Sequence, residues 1–174
     1  MDSTVQEKIT NIIKEKFEAD IVSVESPYNF LTFNLKADNI IDIIRHLYHH
    51  PEAKFQYLTT LCAIHLPDTR QMAIMYQLHS LTNNWRIRLK IFMSDENPTV
   101  PTLTTVFAGA NWMERETYDF FGVKFTGHPD LRRILNVEEM IIHPMRKEYP
   151  LEDQTREDKK DFMASRRRCS PLQR

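Results

Sequence analysis

Glycine is nearly missing from this chain: only Gly109, Gly122 and Gly127 occur among 174 residues. A phosphate loop or a dinucleotide fingerprint needs clustered glycines, so that backbone N–H groups can approach phosphate closely. Neither ATP nor NADH therefore has a cradle here. Cysteine is as scarce. Cys62 lies in an apolar run, Cys169 follows three arginines, and no CxxC pair exists. The chain's thiolates alone cannot hold a zinc knuckle or an iron–sulfur cluster, and a reducing compartment fits best. No apolar run approaches the roughly 20 residues of a membrane-spanning helix. The first residues carry acids early. They lack the basic and apolar regions of a signal peptide and the Arg-rich, acid-poor character of a transit peptide, so a bacterial or organelle-encoded chain is expected. The formal net charge of −1 gives the whole molecule no field for capturing nucleic acid or anionic lipid.

The remaining composition, 41% hydrophobic and 27% charged, is that of a globular domain with some extra chain. A chain of this length buries roughly 70% of its unfolded surface, so its core needs no covalent staple. Ser3 and Gln6 have capping-box spacing, and Val5, Ile9, Ile12, Ile13 and Phe17 then recur at helical spacing. Ile21 to Glu25 and Phe30 to Leu35 read as a strand pair around a Pro27-Tyr28-Asn29 turn. Asp38 is the expected cap of a second helix, which Pro51 stops. Three strands should follow. Phe55 to Leu66 is nearly continuous in apolar and β-branched residues. Gln71 to Leu78 alternates Met72, Ile74, Tyr76 and Leu78, and Trp85 to Met93 alternates apolar residues with Arg86, Arg88 and Lys90. Asn83-Asn84 can supply left-handed turn residues between the last two. The Arg/Arg/Lys row could attract nucleic acid, but it reads better as a solvated sheet face with cross-strand pairing. A third helix is expected from about Thr104 to Phe121, closed by Gly122.

The expected fold is thus α+β: a two-layer sandwich of a mixed sheet of about five strands with helices on one face, in the order α-β-β-α-β-β-β-α, followed by an extended C-terminal tail. Residues 1–126 form the domain. Residues 127–174 form the tail, where prolines recur, hydrophobic periodicity fades and charge rises. Such a segment cannot fold alone and is suited to docking on a partner. The Arg166-Arg167-Arg168 run reads as solvated or partner-bound.

The densest chemistry is Glu114-Arg115-Glu116-Thr117-Tyr118-Asp119-Phe120-Phe121, followed past Gly122 to Gly127 by His128-Pro129-Asp130-Leu131-Arg132-Arg133-Ile134-Leu135. Glu116 and Asp119 are like charges at i, i+3 near a helix C-terminus, where the dipole disfavours anions. Arg115 can reach Asp119 at i+4 only in the weaker orientation. Local helix stability does not explain these acids, so they should have cationic partners elsewhere. Arg132 and Arg133 are the nearest candidates. Pro129 pushes His128 towards an extended conformation, which suits a projecting contact. Glu114, Glu116 and His128 are also weighed as a metal site or a general acid/base set. Glu114 and Glu116 at i, i+2 point to different helix faces, however, which opposes convergence on one point.

This stretch resembles the signature of the 30-kilodalton subunit family of NADH dehydrogenases: Glu-Arg-Glu, an acid, two apolar residues, His, a basic residue and two apolar residues at fixed spacing. Glu114-Arg115-Glu116, Asp119, Phe120-Phe121, His128, Arg132 and Ile134-Leu135 match every fixed position. Asn111-Trp112-Met113, the segment from Phe55 to Ala63, and His143-Pro144-Met145-Arg146-Lys147-Glu148-Tyr149-Pro150 are similar to further parts of that family. The resemblance spans residues 37 to 151. Where the family commonly has a Gly- and aromatic-rich link, this chain has Asn136-Val137-Glu138-Glu139-Met140-Ile141-Ile142.

The resemblance implies a peripheral-arm scaffold subunit of respiratory complex I, a proton-translocating NADH:quinone oxidoreductase. It implies no catalytic residue, cofactor or metal on this chain. FMN, iron–sulfur clusters and quinone would sit on partner subunits. The partners would be the 49-kDa-type quinone-site subunit and iron–sulfur subunits, with no nucleic acid. The location would be peripheral on the cytoplasmic side of the cell inner membrane, touched only through the complex. Glu114, Arg115, Glu116, Asp119, His128, Arg132 and Arg133 would form an ion-pair network fixing the tail and its partner, and Arg146 and Lys147 would pair across subunits. The alternatives are the equivalent subunit of a membrane-bound hydrogenase or plastid-type dehydrogenase, and a free-standing adaptor.

Overall fold

The computed structural model describes residues 3–149. Cys169, the three-arginine run and the rest of the expected tail beyond Tyr149 lie outside them. Helix α1 (Ser3–Phe17) and helix α2 (Ile40–His49) each bury one apolar stripe, Ile9, Ile12 and Ile13 on the first and Ile40, Ile43, Ile44 and Leu47 on the second. Each such side chain contributes about 1.5–3 kcal/mol relative to exposure. Ser3 opens α1, and Gln6 accepts a hydrogen bond from Ser26, tying the helix to the turn after the first strand. Asn39, not Asp38, precedes α2. Its amide is committed to Asp20 rather than to a helix N–H.

The main sheet has five strands: β1 (Ile21–Glu25), β2 (Thr32–Leu35), β3 (Tyr57–Leu66), β4 (Gln71–Ser80) and β5 (Trp85–Ser94), in the order β1-β2-β5-β4-β3. Only the β2–β5 pair is parallel, so the sheet is mixed, as the sequence led us to expect. Met72, Ile74, Tyr76 and Leu78 on β4 and Ile87, Leu89 and Ile91 on β5 share one face. They are buried in a single core with both helix stripes and with Phe33 and Leu35 of β2. The β4–β5 hairpin turns through Asn84 at φ 54. Asn83 instead donates to the Glu52 carbonyl, pinning the hairpin to the loop after α2.

Two features depart from the sequence expectation. The third helix, α3 (Ala110–Phe121), starts six residues later than Thr104. Val106 and Phe107 donate to the Leu103 carbonyl, Ala110 donates to Phe107, and the Leu103 N–H is taken by the Glu114 carboxylate. The chain therefore closes a separate turn before the helix begins. A two-stranded parallel sheet also forms from β6 (Thr99–Pro101) and β7 (Lys124–Thr126). Three residues are too few for a readable alternation. This small sheet brackets α3, which packs against the edge strand β3.

Candidate functional site

The signature residues gather around α3, and the first problem they solve is how that helix ends. The last four carbonyls of a helix have no partner within it. Here Tyr118 is met by the N–H of Gly122 at 2.8 Å, and Asp119 by an Arg133 guanidinium N–H at 3.1 Å and by His143 Nδ1 at 3.0 Å. Phe120 is met by the Met145 N–H at 3.1 Å, and Phe121 by Arg146 Nε at 2.8 Å. Apart from Gly122, every donor comes from residues 133–146. The segment from Gly127 to Tyr149 is therefore a strap wound back over the helix end. Two guanidinium groups there complement the negative end of the dipole.

Asp119 holds the strap in place. Its side chain is fully buried, and both oxygens are crowded with donors. Oδ1 accepts from Arg133 at 2.6 Å and from the Asn136 amide at 3.0 Å. Oδ2 accepts from three successive backbone N–H groups, Ile134 at 3.2 Å, Leu135 at 2.9 Å and Asn136 at 2.9 Å. Successive N–H groups aimed at one anion form a nest. Burial alone would raise the carboxyl. The donors from Asn136 and Leu135, then from Arg133, outweigh it and hold Asp119 well below the usual carboxylate range. Arg133 also donates to the carbonyls of Met140 and Ile142, closing residues 134–142 into a loop. An acid that looks misplaced on its own helix is thus placed for the strap.

Glu114 lies on the opposite side of α3 from Glu116 and is also fully buried. It accepts from the Thr102 hydroxyl and the Leu103 N–H, each at 2.6 Å, and so ties the end of β6 to the helix. No guanidinium or ammonium pairs with it among the described residues. Burial pushes its carboxyl up, opposed by those two hydrogen bonds. Its charge also reaches Tyr76, whose hydroxyl is buried without a hydrogen-bond partner and driven far up, chiefly by burial. The protonated acid is favoured by burial. Its contribution to stability is complete below the unfolded value of about 4.3 and is lost as pH rises through the higher folded value. Glu114→Gln keeps the shape and cannot ionise. As pH rises from below the unfolded value, wild type should therefore lose stability relative to this variant in urea unfolding. Parallel profiles would show that burial does not raise the Glu114 carboxyl.

His128 does not project. Its side chain is buried, with Nδ1 accepting from the Asp130 N–H at 3.0 Å and Nε2 facing the Asn111 carbonyl at 3.2 Å. That pattern fixes the neutral Nε2–H tautomer and leaves no lone pair for a substrate proton or a metal. Glu114 lies 3.9 Å from Nε2, while Glu116 is exposed on another face. Among the described residues no group of three or more His, Cys, Asp or Glu is placed to hold a metal. Neither the metal nor the acid/base reading has geometry behind it.

The other candidates sort by what they touch. Arg115 does not reach Asp119. It is buried, donates to the carbonyls of Arg132 and Arg133, and lies over the Trp112 ring. Arg132 is exposed and pairs with Asp130 at 2.9 Å. Arg146 contacts Phe121, the Asp95 carbonyl and Glu148, all within this chain. The Lys147 side chain is exposed, while its N–H donates to His65 Nδ1, which in turn leans on Asp95. Sequence reasoning missed Thr102, Asn136, His65 and His143 as partners because their contacts are far apart in the chain. Gly122 carried the strongest signal. It sits at φ 76, and a Cβ there would lie 2.6 Å from the His143 ring. Gly122→Ala should cost at least about 1–2 kcal/mol from the left-handed backbone alone, read as a lower urea midpoint. An unchanged midpoint would show that the turn and His143 absorb the methyl freely.

Comparison with known proteins bears on the same residues. The family described as the respiratory-chain NADH dehydrogenase, 30 Kd subunit, matches residues 33–155. The chain is 39% identical over 140 residues to a C-type subunit of the NADH-quinone oxidoreductase of Rhizobium etli, spanning 80% of this chain and 74% of that one. It is 43% identical over 122 residues to the C-type subunit of the NADH-quinone oxidoreductase of a Roseiflexus species, spanning 70% of each. Among solved structures it resembles a trypsin-resistant fragment of Nqo5, with a TM-score of 0.60 and 25% identity over 71% of this chain and 99% of that one. It shares its fold with a chain of an archaeal membrane-bound sulfane sulfur reductase, with a TM-score of 0.73 and 19% identity over 99% and 96% of the two chains.

Proposed function

This chain belongs to the respiratory-chain NADH dehydrogenase 30 Kd subunit family, and we propose that it serves as a peripheral-arm scaffold of a proton-translocating NADH:quinone oxidoreductase. In this reading residues 1–126 are the body, and residues 127–174 are the segment that docks on partner subunits. The partners are the 49-kDa-type quinone-site subunit and the iron–sulfur subunits, which with their neighbours carry the quinone, clusters and FMN. The chain contributes position, not redox chemistry. In the same reading the chain would sit on the cytoplasmic side of the inner membrane through its partners. No helix among the described residues is long and apolar enough to cross a membrane.

One observation carries this reading. The strap is fixed by buried hydrogen bonds, yet it turns large apolar side chains outward: Leu135 is 65% exposed, Val137 65% and Ile141 92%. Apolar side chains clustered on a preorganised, solvent-facing segment mark a site of protein contact. The 38–43% identity to C-type subunits of NADH-quinone oxidoreductases favours the NADH-linked complex over a hydrogenase or plastid-type assembly.

Purification of the tagged full-length chain from detergent-solubilised membranes tests the proposal. Quinone-site and cluster-bearing subunits should co-elute with NADH:quinone activity. A set of soluble partners alone would contradict it and favour a free-standing adaptor. Arg132→Glu, at an exposed position on the strap, should lower the yield of assembled enzyme while leaving the unfolding midpoint within about 0.5 kcal/mol of wild type. Assembly at wild-type yield with turnover abolished would instead demand a direct chemical role.

A further inference from the structure

We infer that the uncovered face of the five-stranded sheet, centred on Arg86, Arg88 and Lys90, is a second docking surface whose occupant is an acidic segment of a partner subunit. The inference rests on the reading that the chain works inside a multisubunit enzyme, but it concerns a face the strap does not use.

The three cations of β5 were expected to find cross-strand partners. The register gives them none of opposite charge. Arg86 stands opposite His79, Arg88 between Gln77 and Thr32, and Lys90 between Met75 and Asn34. None of the three joins an ion pair among the described residues. Glu25, beyond Thr32 in the Arg88 row, is engaged by the Asn34 amide at 2.8 Å. Glu116 of α3 approaches from the β3 side, within electrostatic reach of Cys62. The Arg88 guanidinium lies over the Phe30 ring at 4.7 Å, and its Nε is buried without a partner. A face meant only for water would set acids opposite these cations, because opposite-charge pairs stabilise a sheet.

The same face is also too apolar for a solvated one. The row next to Lys90 is Ile64–Ala73–Phe92, with Ile64 and Phe92 exposed, and Tyr57 is exposed at the end beside His79. A partner must therefore offer carboxylates and apolar side chains together. Residues two apart on a strand stand about 7 Å apart on one face. Acids at alternate positions of an extended segment match that spacing, as do acids at i, i+4 of a helix, about 6 Å apart. Nucleic acid fits less well. Glu25 and Glu116 flank the cations, and phosphate would gain nothing from the apolar row.

The test uses the assembled enzyme. A photoreactive phenylalanine analogue at position 92 should crosslink to a partner subunit through a peptide that holds at least two carboxylates. No adduct, an adduct to an acid-free peptide, or an adduct to nucleic acid would overturn the inference. In parallel, Arg86→Glu with Lys90→Glu should lower the yield of assembled enzyme about tenfold at moderate salt; a wild-type yield would overturn it too. The crosslink does not depend on how the double variant folds. If the unmodified chain fails to co-purify with the complex, the proposed function fails. If it co-purifies and position 92 crosslinks nothing, only this inference fails.

Discussion

Asp119→Ala should destabilise the full-length chain by about 3–5 kcal/mol, the usual consequence of removing one half of a buried ion pair. The magnitude follows from what is left behind. Arg133 keeps its carbonyl contacts but loses its only carboxylate, and the N–H groups of Ile134, Leu135 and Asn136 lose their shared acceptor in a dry site. Domains are stable by only about 5–15 kcal/mol, so urea unfolding will register the change plainly. Limited proteolysis should also cut the variant within residues 133–149 under conditions that spare the same bonds in wild type. The pH dependence has a definite sign. The folded carboxyl is depressed, so its contribution is complete above the unfolded value of about 3.9 and fades as pH falls through the lower folded value. Asp119 and Glu114 therefore pull in opposite directions, one weakening the fold in acid and the other above it. A variant with a wild-type midpoint and a protected strap would show that the clamp is not what fixes residues 133–149.

The second large effect is on assembly rather than stability. Val137→Asp with Ile141→Asp should leave the isolated chain's unfolding midpoint within about 0.5 kcal/mol of wild type, because both side chains already face water. In cells the same pair should abolish most of the assembled oxidoreductase, since two carboxylates would be forced into an apolar contact without partners. A loss of midpoint would mean that these side chains pack at home. Normal assembly would mean that the strap faces water in the complex as well.

The β4–β5 hairpin was legible because its strands are ten residues each and alternate cleanly. Met72, Ile74, Tyr76 and Leu78 named their own face, and all four are buried in the core. The parallel β2–β5 pair was not legible strand by strand, since pairing partners far apart leave no local trace. The start of α3 escapes the sequence for a related reason. Thr104 to Ala108 can continue a helical pattern, but Glu114 reaches back for the Leu103 N–H and sets the boundary from outside. The signature stretch identified the family and showed that its acids lacked local support. The partner of one of them, Arg133 for Asp119, is one of the two arginines that spacing singles out. His128 was expected to project and is buried instead, because Pro129 constrains its backbone while the side chain still turns inward to Asn111. The strap itself could not be read. Its residues show no periodicity, and its order comes from capping a helix end that precedes it in the chain.

The central claim is that a prefolded strap presents an apolar surface to partner subunits, and amide hydrogen exchange of the free chain and of the assembled enzyme tests it most directly. The amides of Leu135 and Asn136 should exchange slowly in both, because Asp119 holds them without help. The amides of Val137, Glu138, Glu139, Ile141 and Ile142 should exchange quickly in the free chain and slow by at least about tenfold in the assembly, whereas that of Met140 is already held by the Val137 carbonyl. Equal exchange of those five amides in the two states would contradict the claim, since it would leave the strap uncovered in the working enzyme.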